Sequence, residues 1–158
     1  MTPEAMKLRK LCSIEEVSQS RDMDHDVETV YVICEDLPGT QGFGGCMRDV
    51  AESKLFLREI CDAFSVRDPE ALVGLQAVAL YTEEYGDIEG LEDPVTGKRF
   101  TKYGFALRHH PDKAETPNQH KVASVQSEIR WLKRRLEEEH KKLAHLIEHP
   151  VVNWETEP

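Results

Sequence analysis

Residues 27–64 read VETVYVICEDLPGTQGFGGCMRDVAESKLFLREICDAF, and this stretch decides the fold class. Residues 28–34 end in five consecutive apolar side chains, Val30 to Cys34, rich in β-branched types. A run that short and unbroken predicts a strand covered on both faces. Residues 35–45 then form a loop, with Pro38 and four glycines (Gly39, Gly42, Gly44, Gly45) that tolerate positive φ. Residues 46–64 close the stretch as an amphipathic helix. Val50, Leu57, Ile60, Cys61 and Phe64 lie along one side, Met47 at its start, and Arg48, Glu52, Glu59 and Asp62 elsewhere. Strand, loop and helix in this order predict an α/β or α+β fold, a small sheet with packed helices.

On the N-terminal side, Thr2-Pro3-Glu4 has the form of a helix cap followed by proline and an acidic first turn. Met6, Leu8, Leu11 and Cys12 give that predicted helix an apolar side, and Ser13 with Glu16 has capping-box spacing for a restart. Residues 18–26, SQSRDMDHD, are polar and aperiodic, hence a loop. On the C-terminal side, Asp68-Pro69-Glu70 repeats the cap pattern, and Gly86 can end what it starts. The apolar residues between favour a helix; the rival reading ends it at Gly74 and makes residues 76–82 a strand. Residues 93–98, DPVTGK, are a turn, and residues 88–92 and 99–108 are its two strands. Alternation places Tyr103, Phe105 and Leu107 on one face of the second strand.

Thr116-Pro117-Asn118-Gln119 opens the longest predicted element, a helix to about Glu148 stopped by Pro150. Val122, Val125, Ile129, Leu132, Leu136, Glu139, Leu143 and Leu146 follow 3,4 spacing for nearly four heptads, interrupted only by Glu139. Glu137 with Lys141 and Glu138 with Lys142 add i,i+4 pairs. The expected organisation is a body over residues 1–112, a coiled-coil-like helix over 113–150 and a tail over 151–158.

Thirty acidic residues stand against twenty basic ones, for a formal net charge of -10. Such a surface repels phosphate backbones and anionic lipid, which disfavours nucleic acid and membranes as partners. The run Arg130-Trp131-Leu132-Lys133-Arg134-Arg135 is followed at once by Glu137, Glu138 and Glu139, so the helix is charge-patterned rather than basic. No run reaches the ~18 apolar residues of a membrane span, and the first residues lack the apolar core of a signal peptide. Cys12, Cys34, Cys46 and Cys61 form no CxxC pair, and read as thiols of a cytoplasmic protein.

Candidate chemistry centres on the glycine loop. Gly39, Gln41, Gly42, Gly44, Gly45 and Arg48 surround a predicted helix start whose free N–H groups can hold an anion. The pattern matches neither the dinucleotide fingerprint nor a P-loop, where Met47 and Arg48 would have to be Lys-Ser or Lys-Thr. A thiol at a helix start, here Cys46, can have a lowered pKa. The string Gln41-Gly42-Phe43-Gly44-Gly45-Cys46 resembles, over six residues, papain-like cysteine proteases, in which an upstream glutamine helps form the oxyanion hole. Here the glutamine stands one position closer to the cysteine, and Met47 replaces the expected aromatic. His109 or His110 would supply a base and Asp112 would orient it. Glu35 and Asp36 offer a carboxylate pair at the end of the predicted strand.

Metal patterns are incomplete. Asp22, Asp24 and Asp26 start a calcium-loop spacing, but Val27 stands where glycine is needed and Ile33 at the twelfth ligand position. His145 and His149, with His140 nearby, lack a further ligand on their face. No metal or cofactor is assigned.

Two functions follow as expectations. The first is an acidic interaction module (adaptor, regulator or inhibitor) that binds a protein partner or itself, most simply as a dimer. Its contacts would be Val122, Val125, Ile129, Leu132, Leu136, Leu143 and Leu146. The second is a small-molecule, nucleotide or cysteine-dependent enzyme built on residues 35–46.

Overall fold

Burial alternates over residues 9–14, with Leu11 exposed and Cys12 and Ile14 buried, as befits the first strand, β1 (Leu8–Asp22). The computed structural model describes residues 8–24, 27–84 and 86–150. Over 8–12 the expected helix is therefore a strand, the restart at Ser13 is absent, and Ser18 to Asp22 are strand rather than loop. Thr2, Pro3, Glu4 and Met6 lie outside the described residues. The exposed Leu11 beside the buried Cys12 hides the alternation in the apolar pattern, and a β-bulge disturbs it further along. The register slips between Ile14 and Glu16, so Ile14 faces Cys34 while Val17 faces Val32. An extra residue turns a step of two into a step of three, which imitates helical spacing.

β2 (Val27–Glu35) pairs with β1 and with β3 (Gln41–Met47), and every pairing in the sheet is antiparallel. β2 is buried on one face, through Glu28, Val30, Val32 and Cys34, while Tyr31 is exposed on the other. The expectation of cover on both faces is thus corrected. The glycine loop shrinks to residues 36–40, because residues 41–47 pair with β2. Gly44 is required there: its φ is +145°, and a Cβ would stand 1.9 Å from the Val30 carbonyl oxygen.

Helix α1 (Val50–Ala63) begins after Cys46, not at it. Asp49 is its N-cap and accepts the Glu52 N–H at 2.8 Å, while the Glu52 carboxylate accepts the Arg48 N–H. This is a capping box shifted by one residue, and it supplies the acidic cap that residues 46–48 lack. Phe56, Leu57, Ile60 and Cys61 are buried; Val50, assigned to the same side, is exposed.

A short 3-10 helix (Pro69–Leu72) leads to Gly74, whose φ of +88° breaks the chain away from helical geometry. β4 (Gln76–Tyr81) follows beside β1, so the rival strand reading of this region is the correct one. Residues 77–81 of this central strand are all buried, and such a strand carries the all-round apolar pattern of a buried helix. β5 (Gly90–Glu92) and β6 (Arg99–Thr101) are the expected hairpin. Its corner is held by Asp93, which accepts the Val95 N–H at 3.0 Å and the Thr96 hydroxyl at 3.1 Å. The second strand ends early. Thr101 caps α2 (Lys102–His109) by accepting the Gly104 N–H at 3.0 Å, so Tyr103, Phe105 and Leu107 lie on a helix and only Phe105 is buried.

The sheet order is β3-β2-β1-β4-β5-β6, and the fold class is α+β. The core lies between one sheet face and α1. Phe56 of α1 meets Phe43 at 5.8 Å, Phe100 at 4.9 Å and Phe105 at 5.3 Å between ring centroids. On the other face Glu92, buried, accepts from Arg9 of β1 and from Arg99 of β6, the latter at 2.6 Å. Removing Glu92 would leave both guanidiniums without that partner.

The chain divides into two units, residues 1–117 and 118–158. The second contains most of α3 (Pro117–Glu148), the helix expected from Thr116 onward. No helix among the described residues is long and apolar enough to cross a membrane.

Candidate functional site

α3 has 32 residues and buries none of them. At ~1.5 Å per residue it is about 48 Å long. Pro117 suits its first position, where no N–H is needed, and the His149 N–H closes the last turn on the His145 carbonyl at 2.8 Å. Its outer faces are tied locally. Lys142 donates to Glu139 at 3.1 Å, one residue on from the Glu138 with which the spacing paired it. The Arg135 guanidinium lies 5.7 Å from the Trp131 ring centre, covering the aromatic face of the basic run. The heptad positions remain open. Val122, Val125, Ile129, Leu132, Leu136, Leu143 and Leu146 are exposed to between 44% (Val125) and 57% (Leu136). Seven such side chains in one stripe form an apolar seam nearly four heptads long, interrupted only at Glu139. A seam of this kind can pack against another apolar surface; it holds no nucleophile, base or ligand set.

The residues assigned to chemistry do not converge. Cys46 is exposed on β3 opposite Thr29, on the sheet face away from Phe43 and Val30. Among the described residues neither a helix start nor a hydrogen-bonded base stands beside it. His109 is held on the helix side by Glu59 at 2.6 Å, and His110 is bound by Glu52. Asp112 is exposed in the turn after α2. Gln41 accepts the Tyr81 hydroxyl at 2.8 Å, reaching over β2 and β1 to β4, and is spent on that bond rather than on an oxyanion. Gly42 faces Tyr31, Gly44 lies against the Val30 backbone, Gly39 is in the hairpin loop and Gly45 is within β3. Arg48 pairs at 3.5 Å with Asp49, the cap of α1. The helix start imagined for an anion is therefore occupied by Asp49. Glu35, Asp36, Pro38, Gly39 and Thr40 line a hollow of about 480 Å³ at the hairpin tip, open to solvent.

Metal candidates stay incomplete as well. Asp22 accepts the Asp24 N–H at 3.0 Å in a tight turn, and Asp26 lies outside the described residues. His145 and His149 stack at 4.7 Å. Among the described residues no group of three or more His, Cys, Asp or Glu could hold a metal ion.

Two clusters escaped the sequence reading. Arg108 donates to Glu59 at 2.6 and 2.9 Å, so α2 is clasped to α1 by two carboxylates, Glu59 and Glu52. Burial works against ionising Glu52, but the Arg48 N–H, the His110 hydrogen bond and the charges of His110 and Arg48 outweigh it, and its carboxyl sits below its ordinary value. The Asp49-x-x-Glu52 spacing was the available signal. The second cluster is a buried nook of Cys12, Cys34 and Tyr81. Contact with Cys12 and burial push the Cys34 thiol up, and burial together with the two thiols pushes the Tyr81 hydroxyl up to about 12. The hydrogen bond with Cys34 shifts the Cys12 thiol the other way, downward, while Cys34 and Tyr81 stay protonated at neutral pH.

Compared with family models, curated proteins and solved structures, the chain matches none of them.

Proposed function

We propose that the protein is an interaction module, an adaptor, regulator or inhibitor that works by joining its long C-terminal helix to another helix. The observation that carries this reading is the open seam from Val122 to Leu146 on a helix with no buried residue. An isolated helix gains little from propensity alone, and most helical stability in proteins comes from packing an apolar face. The seam supplies that face, and a partner helix would cover it. Seven Lys and Arg against five Asp and Glu keep α3 itself near neutrality, so the acidity of the chain lies elsewhere and does not drive helices apart. The setting proposed is cytoplasmic, in keeping with four free thiols.

The test compares the chain with a Leu132→Asp/Leu136→Asp variant by thermal unfolding of the helical signal at several protein concentrations. Two charges in a desolvated seam weaken pairing by about 3 kcal/mol or more, over a hundredfold. The expected result is a midpoint that rises with concentration for the wild type only. Concentration-independent melting in both, with no loss in the variant, would contradict self-association.

A further inference from the structure

The seam is complementary to a second copy of itself, and one residue in it distinguishes the two orientations. Its eight positions are spaced 3,4,3,4,3,4,3, which reads the same from either end. A reversed second copy therefore meets it without a mismatch: Val122 opposite Leu146, Val125 opposite Leu143, Ile129 opposite Glu139, and Leu132 opposite Leu136. A parallel copy fits the spacing equally well, so spacing does not decide between them. Glu139 does. In a parallel, in-register pair the two Glu139 carboxylates meet in the middle of an apolar seam, where like charges are least screened. In the reversed pair each Glu139 faces Ile129, and the two carboxylates stand ten residues apart along the axis, about 15 Å.

We propose that α3 pairs with α3 of a second copy in antiparallel orientation, in the register that sets Leu132 against Leu136. The inference rests on the reading that the seam is intermolecular. Charges beside the seam agree in part. Glu128 of each copy comes next to Lys142 of the other, twice over by symmetry. Lys133 and Arg135 approach their own counterparts near the midpoint. Those side chains flank the seam and can turn to water, where a like-charge pair costs little, whereas Glu139 sits in it. The parallel alternative has its own favourable pair, Glu128 with Lys133, and its own clash, Arg135 with His140. Flanking charges thus nearly cancel between the two, and the seam glutamate tips the choice.

The experiment is a spin-label distance measurement on the full chain, with Cys46→Ser removing the exposed native thiol and Glu148→Cys carrying the nitroxide. Glu148 is exposed on the far end of α3, so the label leaves the seam intact. The antiparallel register puts the two labels 28 residues apart along the axis, about 42 Å. The expected result is a separation near 40 Å in a sample whose mass is that of a dimer. A separation below about 25 Å, set by two side-by-side helices about 10 Å apart plus the label arms, would overturn the antiparallel assignment while leaving helix pairing in place. A monomeric mass with no dipolar coupling would overturn both.

Discussion

The ring of Phe43, on β3, stands 5.9 Å from the ring of Phe100, on β6, although these strands are the two opposite edges of the sheet. In a flat sheet five strand intervals of ~4.8 Å would separate them by about 24 Å. The sheet is therefore strongly curled, and the aromatic cluster with Phe56 at its middle is where its edges come together. Truncating Phe100 to alanine removes a ring that touches Phe43, Phe56 and Phe105 at once. Urea unfolding should show a loss of about 3–5 kcal/mol. A loss under 1 kcal/mol would mean that the edges are not held together by these rings.

Glycine positions in the β2–β3 hairpin separate into two classes. Gly44 and Gly39 have nearly the same φ, +145° and +142°, but a Cβ at Gly44 meets the Val30 carbonyl whereas one at Gly39 meets nothing within 4 Å. Both alanine variants carry backbone strain of about 1 kcal/mol or more. Gly44→Ala adds a clash with backbone and should be the less stable by a further ~2 kcal/mol, with separation of β3 from β2. Equal stabilities in chemical denaturation would contradict the close approach.

The clasp between α1 and α2 gives a pH dependence with a definite sign. Glu52 has a carboxyl pKa lowered in the folded chain, so the unfolded state binds the proton more readily. Its contribution is fully present above the unfolded value of ~4.3 and is lost as pH falls through that value toward the lower folded one. Glu52→Gln should be less stable than the wild type at pH 7, with the gap closing below about pH 4. A gap that persists undiminished in acid would assign the effect to packing instead.

Much of this architecture can be read directly from local pattern. β2 shows as a short apolar run, although only one of its faces is buried, the corner at Asp93 as strong turn residues, and α3 as a heptad repeat broken only at Glu139. The failures have physical causes. In β1 an exposed leucine, Leu11, beside the buried Cys12 hides the alternation, and a bulge at Glu15 then sets Ile14 and Val17 three residues apart. In β4 burial on both faces erases alternation altogether. At residues 41–47 the glycines signal a loop by composition, yet they form an edge strand because Gly44 must lie against the Val30 carbonyl. Reading those residues as a loop put Cys46 at a helix start instead of on a strand, and created a catalytic candidate that the fold dissolves. The seam on α3 was legible because nothing in its own unit interrupts it except Glu139, and that exception became the most informative residue in it.

Thiol reactivity distinguishes the cysteines. Cys46 is exposed, while Cys12, Cys34 and Cys61 are buried, and burial pushes the Cys61 thiol up. A thiol-exchange reagent at neutral pH should modify one cysteine per native chain quickly and the other three only on unfolding. Rapid modification of two or more in the native protein would contradict the packing of β1 and β2 around Cys12 and Cys34.

The central claim is that the Val122–Leu146 seam is covered by another helix, and the solution mass tests it most directly. Sedimentation equilibrium over a range up to high micromolar should show the 18.1 kDa chain rising to twice that mass, and the Leu132→Asp/Leu136→Asp variant staying at 18.1 kDa. A wild-type chain that remains monomeric throughout that range, indistinguishable from the variant, would contradict self-association through the seam.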